Sequence, residues 1–456
     1  MKKIFSALLV FLFMLILLPE GFGGGNVPAM AAAPVITQIA PGTSHSLVLL
    51  SDGSLYTWGE NASGELGDGT YTDRNTPAKI GTGYTMIAAG ANHSLALKGN
   101  ALYAWGWNYY GQLGDGTTAE RESPALIGTG YTAVAAGFGH SLALKGNTLY
   151  AWGFNFNGQL GDGSNTNRKK PVMIGTGFTA IAADGSRSYA LKGNTLYAWG
   201  SNYNGILGDG TSINRKTPVK IGTGYTAITA GGTHSFALKG NFLYAWGENG
   251  WGQLGDGTLT NRKAPVYIGT GYTAIAAGSA HSLALKGNTL YAWGHNMEGQ
   301  LGDGTNAYKR MPVQIGTGYT AIAAGAWYSL ALKENGLYTW GANQWNQLGD
   351  GTNTNRITPT RITFFDDLLN PQSIAVTGVK ISPAQASVAV GKKITLKATV
   401  SPSNATNKTL TWSSSDKKIA TVSSDGVVKG IKEGTVTITV KTVNGKTAKC
   451  VVTVMN

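Results

Sequence analysis

Along most of the chain, small and apolar residues fill successive positions of short runs instead of alternating with charge, as in Ala-Ile-Ala-Ala and Ser-Leu-Ala-Leu. Runs of four to six such residues, rich in Val, Ile, Tyr, Phe and Trp and separated by glycine-containing turns, predict short β-strands joined as hairpins. A strand that is apolar on both sides must be covered on both sides, which is the situation of sheets stacked face to face. The copy beginning at Pro218 shows the order. It predicts strands at Val219 to Gly222, Tyr225 to Ala230, His234 to Leu238 and Leu243 to Trp246.

The pattern repeats. Trp-Gly pairs begin at Trp58, Trp105, Trp152, Trp199, Trp246, Trp293 and Trp340, each 47 residues after the last. A Leu-Gly-Asp-Gly element keeps the same register from Leu66 to Leu348. A fixed period of this size means one supersecondary unit that buries its faces only against its neighbours. The links within a unit are unequal: a Thr-Gly turn, a link of three or four residues, a Lys-Gly-Asn turn, and 17 residues between Gly59 and Pro77. Short links join neighbouring antiparallel strands, and a long one suggests a crossover to the next unit. The expectation is therefore an all-β chain with a seven-bladed β-propeller, each blade borrowing its Pro-led strand from the preceding repeat. On that reading the ring closes by pairing of the C-terminal repeat strand, Thr360 to Thr363, with the N-terminal one, Val35 to Ala40.

The combination of Gly-x-x-His-Ser-Leu-Ala-Leu, Tyr-Ala-Trp-Gly and Gly-Gln-Leu-Gly-Asp-Gly-Thr resembles the regulator of chromosome condensation repeat, over about residues 35–364. That resemblance implies a seven-bladed propeller. Its founding members are guanine-nucleotide exchange factors for a small GTPase and bind chromatin. After Phe365 the composition shifts to Val, Ile, Thr, Ser and Lys in alternating strands, with turn signals every 8 to 12 residues, which predicts a small β-sandwich. Residues 376–456 look like a bacterial immunoglobulin-like domain of group 2, with Trp412 in a Leu-Thr-Trp-Ser setting. Such domains imply a spacer or adhesive module of a surface or secreted protein.

Charge and the N-terminus change the picture in two places. The formal net charge is +13, but residues 374–456 hold twelve lysines against Asp416, Asp425 and Glu433, so the repeats are nearly neutral. The basic balance is thus no argument for nucleic-acid binding. Lys2 and Lys3 precede an apolar run from Ile4 to Leu18, followed by Ala29-Met30-Ala31, which predicts a secretory signal over residues 1–31. A run of 15 residues is short of the roughly 20 needed to span a bilayer, so no stable membrane span is expected after cleavage. The expected organisation is signal 1–31, propeller 35–364, linker 365–375 and immunoglobulin-like domain 376–456, with a secreted or cell-surface location. Cys450 is the single cysteine and reads as a buried strand position.

Candidate chemistry is weighed against repetition. His45, His93, His140, His234 and His281 occupy one equivalent position, taken by Arg187 and Tyr328 in the other two copies, which argues for a structural hydrogen bond rather than catalysis. Asp68 and Arg74, with the same spacing in later copies, predict a turn and ion pair. A lone Asp in Leu-Gly-Asp-Gly lacks the several oxygen ligands that calcium takes. No metal, cofactor or catalytic residue is therefore expected. Variation lies elsewhere. After each Trp-Gly come one residue, an unvarying Asn that reads as turn-forming, and two more residues that change freely and are often aromatic. These windows, with the residues preceding the histidine position, name Trp107, Tyr109, Tyr110, Phe138, Phe154, Phe156, Tyr203, Trp251, His295, Trp327 and Trp345 as a candidate ligand-binding face on one side of the disc. The alternative is that these rings only cap apolar blade ends.

The leading functional expectation is a secreted or surface binding scaffold whose propeller face takes an extracellular protein or polysaccharide. The basic C-terminal domain is then a spacer or adhesive module that attracts an anionic cell-wall polymer. The runner-up is nucleotide exchange on a GTPase, as the family resemblance implies. A secretory signal and the unbroken 47-residue spacing, which leaves no inserted wedge, oppose it. A glycan-active enzyme needs two carboxylates facing one site, and Glu60, Glu120, Glu248 and Glu298 lie in different repeats.

Overall fold

A computed structural model describes residues 33–369, 375–403, 405 and 407–456. The expected signal at 1–31 lies outside the described residues, as does 370–374 of the expected linker. The chain divides into two compact units, one ending at Ile362 and the other running from Thr363 to Asn456.

The first unit is a seven-bladed β-propeller, each blade a four-stranded antiparallel sheet whose strand order follows the sequence. In the third blade these strands are Ala133–Ala136, His140–Lys145, Thr148–Gly153 and Arg168–Thr176. The first strands line a central channel of 560 Å³, walled by small residues such as Ala89, Ala136 and Ala277. Both faces of the middle strands are buried, as the unbroken apolar runs require.

Two expectations about connectivity are corrected. The Pro-led strand does not join the next repeat's blade. Arg215–Thr223, which contains the expected Val219 to Gly222, pairs with Thr195–Gly200 of its own repeat, Ala198 opposite Val219. Nor does the last strand pair with the first. Arg356–Arg361 pairs with Gly336–Gly341, whereas Ile36–Pro41 pairs with His45–Leu50. The long link misled because it returns to the end of the strand it left: Gly153 lies opposite Arg168 across an intervening loop of 14 residues. It is an elaborate hairpin loop, and the short Thr-Gly segment carries the chain to the next blade.

The ring is closed by hydrogen bonds between blades instead, among them Gly351 N of the seventh to Asn75 O of the first at 2.8 Å. Trp58 Nε1 of the first blade donates to Gln347 O of the seventh at 2.9 Å. The same joint recurs at Trp105 with Glu65 O, Trp152 with Gln112 O, Trp293 with Gln253 O and Trp340 with Gln300 O. Trp58 and its six counterparts are fully buried, and an indole that buries 150–250 Å² contributes about 4–6 kcal/mol at ~25 cal/mol per Å². The glycine of Leu-Gly-Asp-Gly makes room for the next indole: a Cβ on Gly114, at φ +82°, would lie 2.6 Å from Trp152 Nε1. The repeated motif thus describes an interface between blades.

The second unit has the strands of an immunoglobulin-like sandwich, arranged in one four-stranded, one three-stranded and one two-stranded sheet. Its core includes Val388, Leu396, Val428, Ile438, Cys450 and Val452, with Trp412 packed against it. Cys450 is buried, as its strand setting predicts, and burial raises its thiol pKa.

A candidate ligand-binding face

The loop between the third and outer strands is organised by its unvarying asparagine. Asn155 is fully buried: Leu160 N donates to its Oδ1 at 3.0 Å, and its Nδ2 donates to Asp162 Oδ1 and to Thr166 O. It is therefore the hydrogen-bonded hub of the loop rather than a simple turn former. Asp162 in turn pairs with Arg168 at 2.7 Å, and the pairing recurs in every blade, with Lys309 on Asp303 in the sixth and Arg356 on Asp350 in the seventh. Burial alone would raise the Asp162 pKa, but hydrogen bonds from Ser164, Arg168 and Asn155 hold it below the usual value.

The repeated histidines are structural. His93 Nε2 meets Ser141 Oγ of the next blade at 3.0 Å, and Ser141 Oγ donates to Gln112 O at 2.8 Å. Because the serine hydrogen goes to the carbonyl, the histidine donates through Nε2, and its Nδ1 carries no hydrogen bond. The five histidines are buried, and burial lowers each pKa to about 3. They are neutral and out of reach of a ligand.

Nine of the eleven candidate residues join two aromatic clusters. In the second and third blades, Trp107 stacks on Tyr109 and meets Tyr110 and Phe138 edge-on, with centroids 6.5, 5.2 and 6.0 Å apart. Tyr110 continues to Phe154 at 4.4 Å, and Phe154 stacks on Phe156. In the fifth to seventh blades, His295 sits edge-on between Trp251 at 4.8 Å and Trp327 at 5.0 Å. Its Nδ1 accepts from Gln300 Nε2 at 2.7 Å, and its pKa is lowered mainly by burial. Tyr203 and Trp345 stand apart, both exposed and without a ring partner among the described residues. Both clusters reach the channel, whose lining includes Phe138 and Trp327. Sequence reasoning missed Tyr308, whose ring lies 6.1 Å from that of Trp251. It falls outside the variable window, near the start of the outer strand.

The fourth blade departs from the rest. In the other six, a Gln or Glu side chain fastens the loop by accepting from the backbone two residues earlier, as Gln159 Oε1 does from Asn157 N at 2.9 Å. Here the residue is Ile206, which cannot accept. The loop becomes a 3-10 turn at Tyr203–Gly205, with Asn204 in the left-handed region at φ +57°. Arg187 replaces the histidine and donates to the carbonyls of Gly231 and Gly232. The opposite side of the disc is regular: Lys98, Lys145, Lys239 and Lys286 lie 4.3–4.4 Å over Tyr84, Tyr131, Tyr225 and Tyr272.

The family profile described as Regulator of chromosome condensation (RCC1) repeat matches residues 52–97, 100–144, 147–188, 194–238, 241–285, 288–332 and 334–379. The chain belongs to the RCC1 repeat family. A second profile, Bacterial Ig-like domain (group 2), matches residues 375–452. Among curated proteins, the chain is similar to an Ig-like virion protein of Serratia phage KSP90, 55% identical over 83 residues, which are 18% of this chain and 32% of that one. It is also similar to a kappa-carrageenase of Pseudoalteromonas carrageenovora, 49% identical over 82 residues, 18% of this chain and 21% of the enzyme. Matches to proteins named as glycosidases are at the level of the immunoglobulin-like domain. An ultraviolet-B receptor of Arabidopsis thaliana is 42% identical over 66 residues, 14% of this chain and 15% of the receptor. The chain thus spans no more than a third of these relatives. Among solved structures, Saccharomyces cerevisiae Prp20p aligns with TM-score 0.61 at 24% identity, covering 73% of this chain and 86% of that one. That likeness concerns the fold. Among the described residues, no group of three or more His, Cys, Asp or Glu is placed to hold a metal ion, and no helix is long and apolar enough to cross a membrane.

Proposed function

We propose that this RCC1-repeat protein is a secreted binding scaffold whose propeller loop face captures an extracellular polysaccharide. The observation that carries this reading is the pair of aromatic clusters set in otherwise repeating loops, with Tyr109 and Phe156 well exposed. Flat exposed rings present large apolar area at little conformational cost. The immunoglobulin-like unit acts as spacer or adhesive module, its lysines favouring an anionic wall polymer. Relatives of that unit carry names of glycan-active enzymes and of a virion protein, which agrees with an extracellular setting. Pull-down by wall and plant polysaccharides tests the proposal. Combined Trp107→Ala, Tyr109→Ala and Trp345→Ala is expected to weaken capture at least about tenfold, with melting unchanged; unchanged capture would overturn it.

Family membership supports a second reading, regulation of a small GTPase. A structure of Prp20p is described together with its binding to Gsp1p and histones. Accelerated nucleotide release from a GTPase by the purified chain would favour that reading over the first.

A further inference from the structure

The irregular fourth blade opens a cavity of 410 Å³ on the loop face, within the size range of small-ligand sites. Its lining includes Phe138 and Asn157 of the third blade, Ser186, Arg187, Ser201, Tyr203 and Asn204 of the fourth, and Thr233 and Glu248 of the fifth. The lining follows from the missing fastener. With Ile206 in place of Gln, Asn204 turns left-handed, and Tyr203, 77% exposed, stands at the edge of the cavity. The neighbouring Phe138 belongs to the first aromatic cluster, so the cavity adjoins that cluster.

The polar groups here differ from those in the rest of the loops. Asn155, Asp162 and Ser164 are hydrogen-bonded to one another. By contrast, no hydrogen bond joins the side chains of Ser186, Ser201, Asn204 or Glu248 to another described residue. Two hydroxyls, an amide and a carboxylate therefore stand open beside an exposed phenol ring. Charge narrows the ligand further. Arg187 is buried and engaged by two backbone carbonyls, with Nε unpartnered, which leaves Glu248 as the cavity's accessible charge. A carboxylate accepts strong hydrogen bonds from hydroxyls and repels anions.

We infer that this cavity is a subsite for a neutral sugar residue, stacked on Tyr203 with its hydroxyls on Glu248, Asn204 and Ser201. This rests on the polysaccharide reading of the loop face and names the position and chemistry of one subsite. An acidic sugar is disfavoured by Glu248, and a purely apolar ligand would bury the open amide and hydroxyls without partners.

Titration calorimetry of the whole chain with neutral galactan and arabinan oligosaccharides, against oligogalacturonate, tests the subsite. Saturable binding of a neutral oligosaccharide is expected. Tyr203→Ala should weaken it at least about tenfold and Glu248→Gln at least about threefold. Lys286→Ala on the opposite side should leave it unchanged. Tyr203 is exposed and Glu248 forms no ion pair among the described residues, so both variants should keep the wild-type melting temperature. Preference for oligogalacturonate, or wild-type affinity in both variants, would overturn the subsite. If Trp107→Ala with Tyr109→Ala abolishes capture and Tyr203→Ala does not, the subsite fails and the broader reading stands. If the unaltered chain binds none of these probes and no wall polysaccharide, both fail.

Discussion

The joint between the second and third blades and the joint between the fourth and fifth use the same acceptor with different side chains. At the first, Gln112 O accepts from Trp152 Nε1 and Ser141 Oγ, while the Gln112 side chain fastens its own loop to Tyr110 N. At the second, Ile206 O accepts from Trp246 Nε1 at 2.8 Å and from the Tyr189 hydroxyl, and the apolar Ile206 side chain cannot fasten the loop. The difference separates two roles carried by one position. Holding blades together belongs to a main-chain carbonyl, which any residue supplies. Holding the loop belongs to the side chain, which is free to change where an open loop serves a purpose.

The largest effect should come from breaking the shared part. Trp246→Ala removes a fully buried indole and its hydrogen bond, and should cost about 4 kcal/mol in urea unfolding. Trp199→Ala, at the joint into the fourth blade, should cost about 1 kcal/mol less, because Trp199 Nε1 already lacks a partner. Equal costs would show that the indole hydrogen bond adds nothing to the joint.

Acidification tests the same joints through their histidines. Burial holds the five folded-state pKa values at about 3, against 6.5 unfolded. A lowered pKa gives stability that is fully present above pH 6.5 and is lost as pH falls from 6.5 toward 3. The propeller transition in calorimetry should therefore weaken by about 3 kcal/mol between pH 7 and pH 6. The immunoglobulin-like region, 376–456, contains no histidine, so its transition should move much less over that interval. Parallel shifts of both transitions would remove the histidines as the cause.

Glu65 is a milder departure, a Glu where most joints have Gln. Burial foremost pushes its pKa up to about 7 from 4.5, while hydrogen bonds from Ser63 N and Asn92 Nδ2 oppose that rise. A raised pKa gives stability that is complete below pH 4.5 and is lost as pH rises through 7. Glu65→Gln should therefore stabilise the chain by on the order of 2 kcal/mol at pH 8 and leave it unchanged at pH 4.5. Equal stabilisation at both pH values would mean that ionisation is not involved.

These contrasts mark what the amino-acid sequence could reveal. The 47-residue period and the doubly apolar strands determine a ring of sheets, because both faces of each need cover. Connectivity was hidden because loop length says nothing about where a loop ends. The 14-residue link from Trp107 to Glu120 returns to the strand it left, held by Asn108 and the Asp115–Arg121 pair. The candidate face was visible as variation at a fixed register, and that register brought Trp107, Tyr110 and Phe154 together. Arg187 was visible as an odd residue. Its consequence was not, since it depends on the loss of an acceptor at Ile206, distant in sequence from Arg187 and adjacent in space.

The smallest expected effect bears most directly on the comparison. Ile206→Gln restores the acceptor for Asn204 N, so the loop should refasten and stability should rise by about 1 kcal/mol, the size of one net hydrogen bond. Asn204 should leave the left-handed region, which costs a non-glycine residue strain, and its backbone chemical shifts should report the move. Stabilisation with a refastened loop would show that an open fourth blade is maintained against the stability of the ring. If Asn204 stays left-handed, the missing glutamine is not what shapes the loop, and Arg187 with its two carbonyl contacts must hold the cavity open instead.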